Sequence, residues 1–159
     1  MKFLSKFILS FVLTATLFMT VAQADTTDVV VKENIFEAIQ SIDIVSLNVL
    51  LAEGADINSV DENGNTALML ASKIGNPRMV KIILAHEPMI DQKNSQGYTA
   101  LMIASEQGQV HIVEKLLENG ADRMLTNNDG LTAADLAIRH GQPQTADLLR
   151  GSSQGNVAR

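Results

Sequence analysis

The chain contains no cysteine and no tryptophan, and only one tyrosine and three prolines. Without thiols there is no disulfide framework, no thiolate metal site and no cysteine nucleophile, so any chemistry has to come from other side chains. Aromatic residues make up 4% of the 159 residues, too few for the stacked platforms that hold single-stranded nucleic acids or sugars. Positive charge is scarce as well: 12 Lys and Arg stand against 18 Asp and Glu, a formal charge of −6. Binding through phosphates needs clustered cations, and no cluster occurs, which argues against a nucleic-acid partner. What remains is 46% hydrophobic, enough for one compact domain or a short repeat array.

One long uncharged run stands near the start. Lys2 and Lys6 precede Phe7 to Val21, which carries no charge, and Ala22-Gln23-Ala24 follows with small residues at the first and third positions. A bilayer span needs roughly 20 apolar residues, so this shorter run reads as a signal peptide over 1–24, cleaved after Ala24. The expected mature chain begins at Asp25, loses two cations and keeps every acid, and so carries ten cations against 18 acids, net −8. The small-residue cleavage pattern, the lack of cysteine and the lack of any Asn-x-Ser/Thr sequon point to export into a Gram-negative periplasm. No later stretch is apolar enough to span a membrane, so no membrane contact is expected after cleavage.

A fixed period organises the rest. Gly64, Gly97 and Gly130 are spaced by 33, and the same step relates Thr66, Thr99 and Thr132, then Ala71, Ala104 and Ala137, then Gly75, Gly108 and Gly141, then Ile83, Leu116 and Leu149. Such self-similarity marks a repeat architecture. Each Thr stands where its hydroxyl caps a helix. Each of Gly64, Gly97 and Gly130 follows an Asn- or Asp-rich tip, where a turn needs positive φ. Gly75, Gly108 and Gly141 stand where a left-handed residue closes a first helix. Asn76-Pro77 and Gln142-Pro143 then restart a second, with Pro in the first turn. Val80, Ile83 and Leu84, or Val113, Leu116 and Leu117, fall on one face of that second helix.

Gly64-Asn65-Thr66-Ala67-Leu68-Met69, its counterparts at Gly97 and Gly130, and the loops Gly54-Ala55-Asp56 and Gly120-Ala121-Asp122 make the chain resemble the ankyrin-repeat family. That resemblance implies an all-α repeat solenoid of about four helix-turn-helix units with β-hairpin tips. The units are expected at 34–60, 61–93, 94–126 and 127–150, after a lead-in at 25–33 and before a flexible tail at 151–159. The first unit is degenerate, with Ile35, Phe36 and Ile39 on its inner helix and Val31 where the turn glycine would be. Met69 and Met102 replace the family's His, and Asp135 replaces the third, so thioether packing is expected in place of ring hydrogen bonds. Glu87-Pro88 replaces Gly-Ala and Ile42 takes a glycine position, which predicts irregularities at both.

Little in the sequence suggests catalysis. His111 and Glu114 lie three apart on one outer helix, which reads as an exposed pair rather than a metal site, since two ligands are too few. His86 begins a loop, and His140 has no acid or nucleophile partner evident in sequence. Of the five methionines beyond the leader, Met69 and Met102 align with core positions, and Met79, Met89 and Met124 complete the set. We therefore expect no enzyme activity, no metal and no cofactor.

The resemblance implies a partner protein held by the hairpin tips and inner helices. The positions concerned are Glu62, Asn63, Asn65, Lys73 and Ile74; then Ser95, Gln96, Tyr98, Glu106 and Gln107; then Asn128, Asp129, Leu131, Arg139 and His140. Tyr98, Leu131 and Ile74 are read as exposed apolar contacts, and an aromatic near a groove centre is the usual kind of hot spot. The expectation is a monomeric periplasmic ankyrin-repeat protein that mediates non-catalytic protein–protein interaction through a concave groove. Its acidity suits a basic partner. An immunity protein neutralising a toxin, or a protective partner of a periplasmic stress enzyme, is the more pointed alternative.

Overall fold

The computed structural model describes residues 34–151. The expected signal peptide, the lead-in with Val31 and residues 152–159 lie outside the described residues. Eight helices follow one another: α1 (Ile35–Gln40), α2 (Ile44–Ala52), α3 (Ala67–Ile74), α4 (Pro77–Leu84), α5 (Ala100–Glu106), α6 (Val110–Glu118), α7 (Ala133–Arg139) and α8 (Pro143–Gly151). No strand occurs among the described residues, only two isolated antiparallel bridges, Val60 to Thr66 and Thr126 to Thr132, at hairpin bases. The fold is the all-α repeat solenoid the sequence implies. Its last helix runs through Gly151, one residue into the expected tail.

Helices of six to nine residues are far too short to stand alone in water, so the stack has to supply their stability. The inner helices α1, α3, α5 and α7 pack in order, and each touches its own outer helix, α2, α4, α6 or α8. The inner-helix contacts are lined by small side chains, Ala67, Ala71, Ala100, Ala104, Ala133 and Ala137, all buried, with Leu68, Leu101 and Leu136 filling the space between. From the outer helices come Met79, Val80, Ile83, Ile112, Val113, Leu116, Ala146 and Leu149. The first outer helix differs from the rest: α2 carries no charge, and Val45 and Val49 face solvent.

Local hydrogen bonds fix where each helix begins. Thr66, Thr99 and Thr132 accept from the backbone N–H of Met69, Met102 and Asp135 at 3.3, 3.3 and 3.2 Å. Met69 also accepts a weak bond at Sδ from the N–H of Thr66, 3.4 Å, so its thioether does more than fill space. Asp135 is the stronger version: one carboxylate oxygen accepts from the Thr132 N–H at 3.0 Å and hydroxyl at 2.6 Å. Asn34, Asp43 and Asn76 cap α1, α2 and α4 with their side chains, whereas Gln109 before α6 makes no such bond.

Both irregularities anticipated from the sequence are present. Ile42 has φ +59° and Glu87 φ +51°, the two non-glycine residues with positive φ among those described. For a β-branched residue this region is a true outlier, and the left-handed conformation costs roughly 1–2 kcal/mol for an L-residue. Ile42 is 51% exposed, so little packing offsets that strain.

Ile42→Gly and Glu87→Gly are each expected to stabilise the stack by about 1 kcal/mol, the relieved left-handed strain less the added freedom of the unfolded chain. Urea denaturation measures this, and a lowered midpoint would show that the Ile42 or Glu87 side chain contributes more than its backbone loses. Acid is expected to act oppositely. The hydrogen bond from the Thr132 hydroxyl, then that from its N–H, hold the Asp135 carboxyl below its ordinary value of 3.8 against the effect of burial, with help from Arg150. At Asp61 burial works to raise the value, but the Asn65 side chain, the N–H groups of Asn65 and Asn63 and the charge of Lys73 outweigh it, and the net shift is downward. A depressed folded-state value adds stability above the unfolded one and loses it as pH falls through the folded one. Melting temperature should therefore fall as pH drops below about 3.8, and Asp61→Asn with Asp135→Asn should flatten that fall; an unchanged slope in the double variant would contradict it.

Candidate functional site

Three hairpin tips are built alike. Asp61, Asn94 and Asn127 occupy one column, and the N–H of each donates to the carbonyl of Asn65, Tyr98 or Leu131 at 3.0 Å. Their side-chain oxygens then gather two further N–H groups: Asp61 those of Asn63 and Asn65 at 2.8 Å, Asn94 those of Gln96 and Tyr98 at 3.0 and 2.9 Å, Asn127 those of Asp129 and Leu131 at 3.0 and 2.9 Å. Satisfying the turn amides this way holds each tip rigid.

Adjacent tips are also tied to one another. Ser95 donates its N–H at 3.1 Å and hydroxyl at 2.6 Å to the Asn63 carbonyl. The Asn94 amide donates to Asn65 Oδ1 at 2.8 Å, and Asn65 Nδ2 to Asp61 Oδ2 at 3.0 Å. One step on, Asn128 donates its N–H to the Gln96 carbonyl at 3.2 Å and its Nδ2 to the Ser95 carbonyl at 3.1 Å. Gly97 makes this approach possible. It has φ +77°, and a Cβ there would come within 2.7 Å of the Asn128 backbone nitrogen.

Between these tips and the inner helices lies a groove of about 540 Å³. Of the residues assigned from the sequence, it brings together Asn63, Asn65, Lys73, Ser95, Gln96, Tyr98, Glu106 and Gln107. Glu62, Ile74, Asn128, Asp129, Leu131, Arg139 and His140 are not among its walls. The floor adds Met69, Leu70 and Ile103, and Asn94 closes the tip side. Sequence reasoning did not assign these four to the site. The Asn column at step 33 from Asp61 was visible for Asn94, but nothing in sequence marks a buried core methionine such as Met69 as also reaching a groove.

Three sequence expectations need correction. Tyr98 and Leu131 are half-buried and pack against the core rather than standing free, since the chain leaving each tip turns back over the stack. Ile74 is exposed, at 37%, as expected, and is not among the groove-lining residues. His140 does have an acid partner: its Nε2 stands 3.3 Å from Glu106 Oε1, one unit away. His111 and Glu114 are an exposed pair at 3.4 Å. No group of three His, Asp or Glu among the described residues is placed to hold a metal ion, and no described helix is long and apolar enough to cross a membrane.

The groove thus offers an apolar floor, a rigid polar rim and two opposite charges, Lys73 and Glu106, with Glu106 already engaged by His140. An apolar floor beneath polar groups is an arrangement suited to holding a partner. A search of curated proteins matched none. A family model of ankyrin repeats, in three copies, matches residues 35–127, more than half the chain and six of its helices in full. Such repeats generally mediate protein–protein interaction. With the 33-residue period, the stacked helix pairs and this match in agreement, the chain belongs to the ankyrin-repeat family.

Proposed function

We propose that this chain is an exported periplasmic protein that binds another protein through its concave groove and catalyses nothing. One observation carries the reading. The side chains of Asn63, Gln96, Gln107 and Lys73 line the groove with no hydrogen bond or ion pair among the described residues, above an apolar floor. Interfaces have that anatomy: apolar area at the centre, a rim of polar groups ready to pair. The leader and its cleavage pattern support export, and the net charge after cleavage favours rapid encounter with a basic partner. The chain acts as a monomer in this reading. Neutralising a toxin and shielding a stress enzyme both fit it, and the identity of the captured partner separates them.

Two measurements test the proposal. Protein recovered from a periplasmic fraction should begin at Asp25 on N-terminal sequencing; an intact leader in the membrane fraction would overturn the export reading. In a pull-down from periplasmic extract, the mature chain should retain a partner that Tyr98→Ala with Gln107→Ala loses by about 30-fold in affinity, the effect of removing roughly 2 kcal/mol of hot-spot contact. Leu131→Ala, outside the groove, should keep it. Equal retention by the groove variant would place the interface on another face.

A further inference from the structure

The amide ladder along the tips is interrupted at one place. Asn94 Nδ2 donates to Asn65 Oδ1, 29 residues earlier. Asn127 occupies the next position in that column, and its Oδ1 is used as that of Asn94 is. Its Nδ2 nevertheless has no partner, although the residue is only 6% exposed. The same register sets it against residue 98, and there the chain carries Tyr in place of Asn. A tyrosine offers no acceptor so close to the backbone, so a buried donor is left unpaired, a loss that a native fold ordinarily avoids. What the chain has in exchange is a half-buried aromatic ring in the wall of the groove.

Of the two opposite charges in the groove wall, one has a close partner and the other has none. Lys73, Glu106 and Arg139 form one column at step 33. The carboxylate of Glu106 is held by His140 of the following unit, at 3.3 Å. Lys73 takes part in neither ion pair of the described residues; it acts on Asp61 only through its field. It is exposed at the groove wall, above Leu70, Ile103 and Met69. The unengaged amides of Asn63, Gln96 and Gln107 can each donate and accept, which is the pairing pattern of a peptide backbone.

We infer that the groove takes an extended peptide segment of the partner in which a carboxylate lies beside an aliphatic side chain. Lys73 pairs with the carboxylate, the floor of Leu70 and Ile103 receives the aliphatic group, and Tyr98 covers it. This rests on the groove-binding reading and narrows it. A local carboxylate is compatible with a basic partner overall, since long-range steering sums the whole surface whereas a buried contact is decided within a few ångströms.

The test uses the exported chain as purified and a phage library of random dodecapeptides as probe. Enriched peptides should carry Asp or Glu within two positions of Leu, Ile or Val, and should lose at least tenfold in affinity for Lys73→Glu and for Tyr98→Asn. Basic peptides that are lost on Tyr98→Ala but not on Lys73→Glu would overturn the carboxylate assignment and leave groove binding standing. Peptides indifferent to Lys73, Tyr98 and Gln107 variants would overturn both. No enrichment would overturn the inference while the pull-down still judges the broader reading.

Discussion

Everything in this molecule depends on one constraint: a helix of six to nine residues has one apolar face and nothing of its own to bury it against. The solution is the column of alanines at 67, 100, 133 and at 71, 104, 137, all buried, whose small side chains let successive inner helices approach closely. Replacing any of them with a larger residue would overpack the contact on which the neighbouring units also depend. The tips and outer loops then add polar ties of the same reach. Met89 N–H donates to Asn58 Oδ1, Asp122 N–H to Asp91 Oδ1, and Lys93 Nζ to the Thr126 carbonyl, each linking one unit to the next.

The groove is a by-product of that construction. Tips and inner helices project from the same side of each unit, so stacking leaves a channel whose rim is made of whatever the turn positions carry. Turn chemistry favours Asn and Ser there, and Tyr98, which departs from it, together with Lys73 from the inner helix α3, gives the channel its character. The tip that holds Tyr98 is anchored from both sides, by Ser95 on the Asn63 carbonyl and by Asn128 on the Ser95 carbonyl. A rigid wall of this kind loses little entropy when a ligand is seated.

What the sequence disclosed and what it concealed divide along a physical line. Within a unit, chain connectivity sets the geometry, so Thr66, Thr99 and Thr132 were legible as caps and Gly75, Gly108 and Gly141 as left-handed helix ends. Ile42 and Glu87 were legible as strained, because they occupy positions whose backbone the repeat had already specified. Between units, geometry depends on how far one unit is offset from the next, and the period does not contain that offset. Asn94 finds Asn65 at a separation of 29, Met89 finds Asn58 at 31, and His140 pairs with Glu106 at 34 rather than 33. The half-burial of Tyr98 and Leu131 belongs to the same class, for it depends on what the neighbouring unit places beneath them.

The glycines at the end of the array show what that one-step reach means. A Cβ at Gly75, Gly97 or Gly108 would collide with Gln109, Asn128 or Gln142 of the following unit, while at Gly130 and Gly141 nothing lies within 4 Å. The last unit keeps the left-handed glycine turns of the internal ones, φ +76° at Gly130 and +70° at Gly141, although nothing crowds them. The hydrogen bonds and the ion pair described between units join nearest neighbours, so each unit's contacts are set by the units directly before and after it. A change in one unit is therefore felt directly by one or two neighbours, and an end unit, with a single neighbour, is held by fewer ties than those inside.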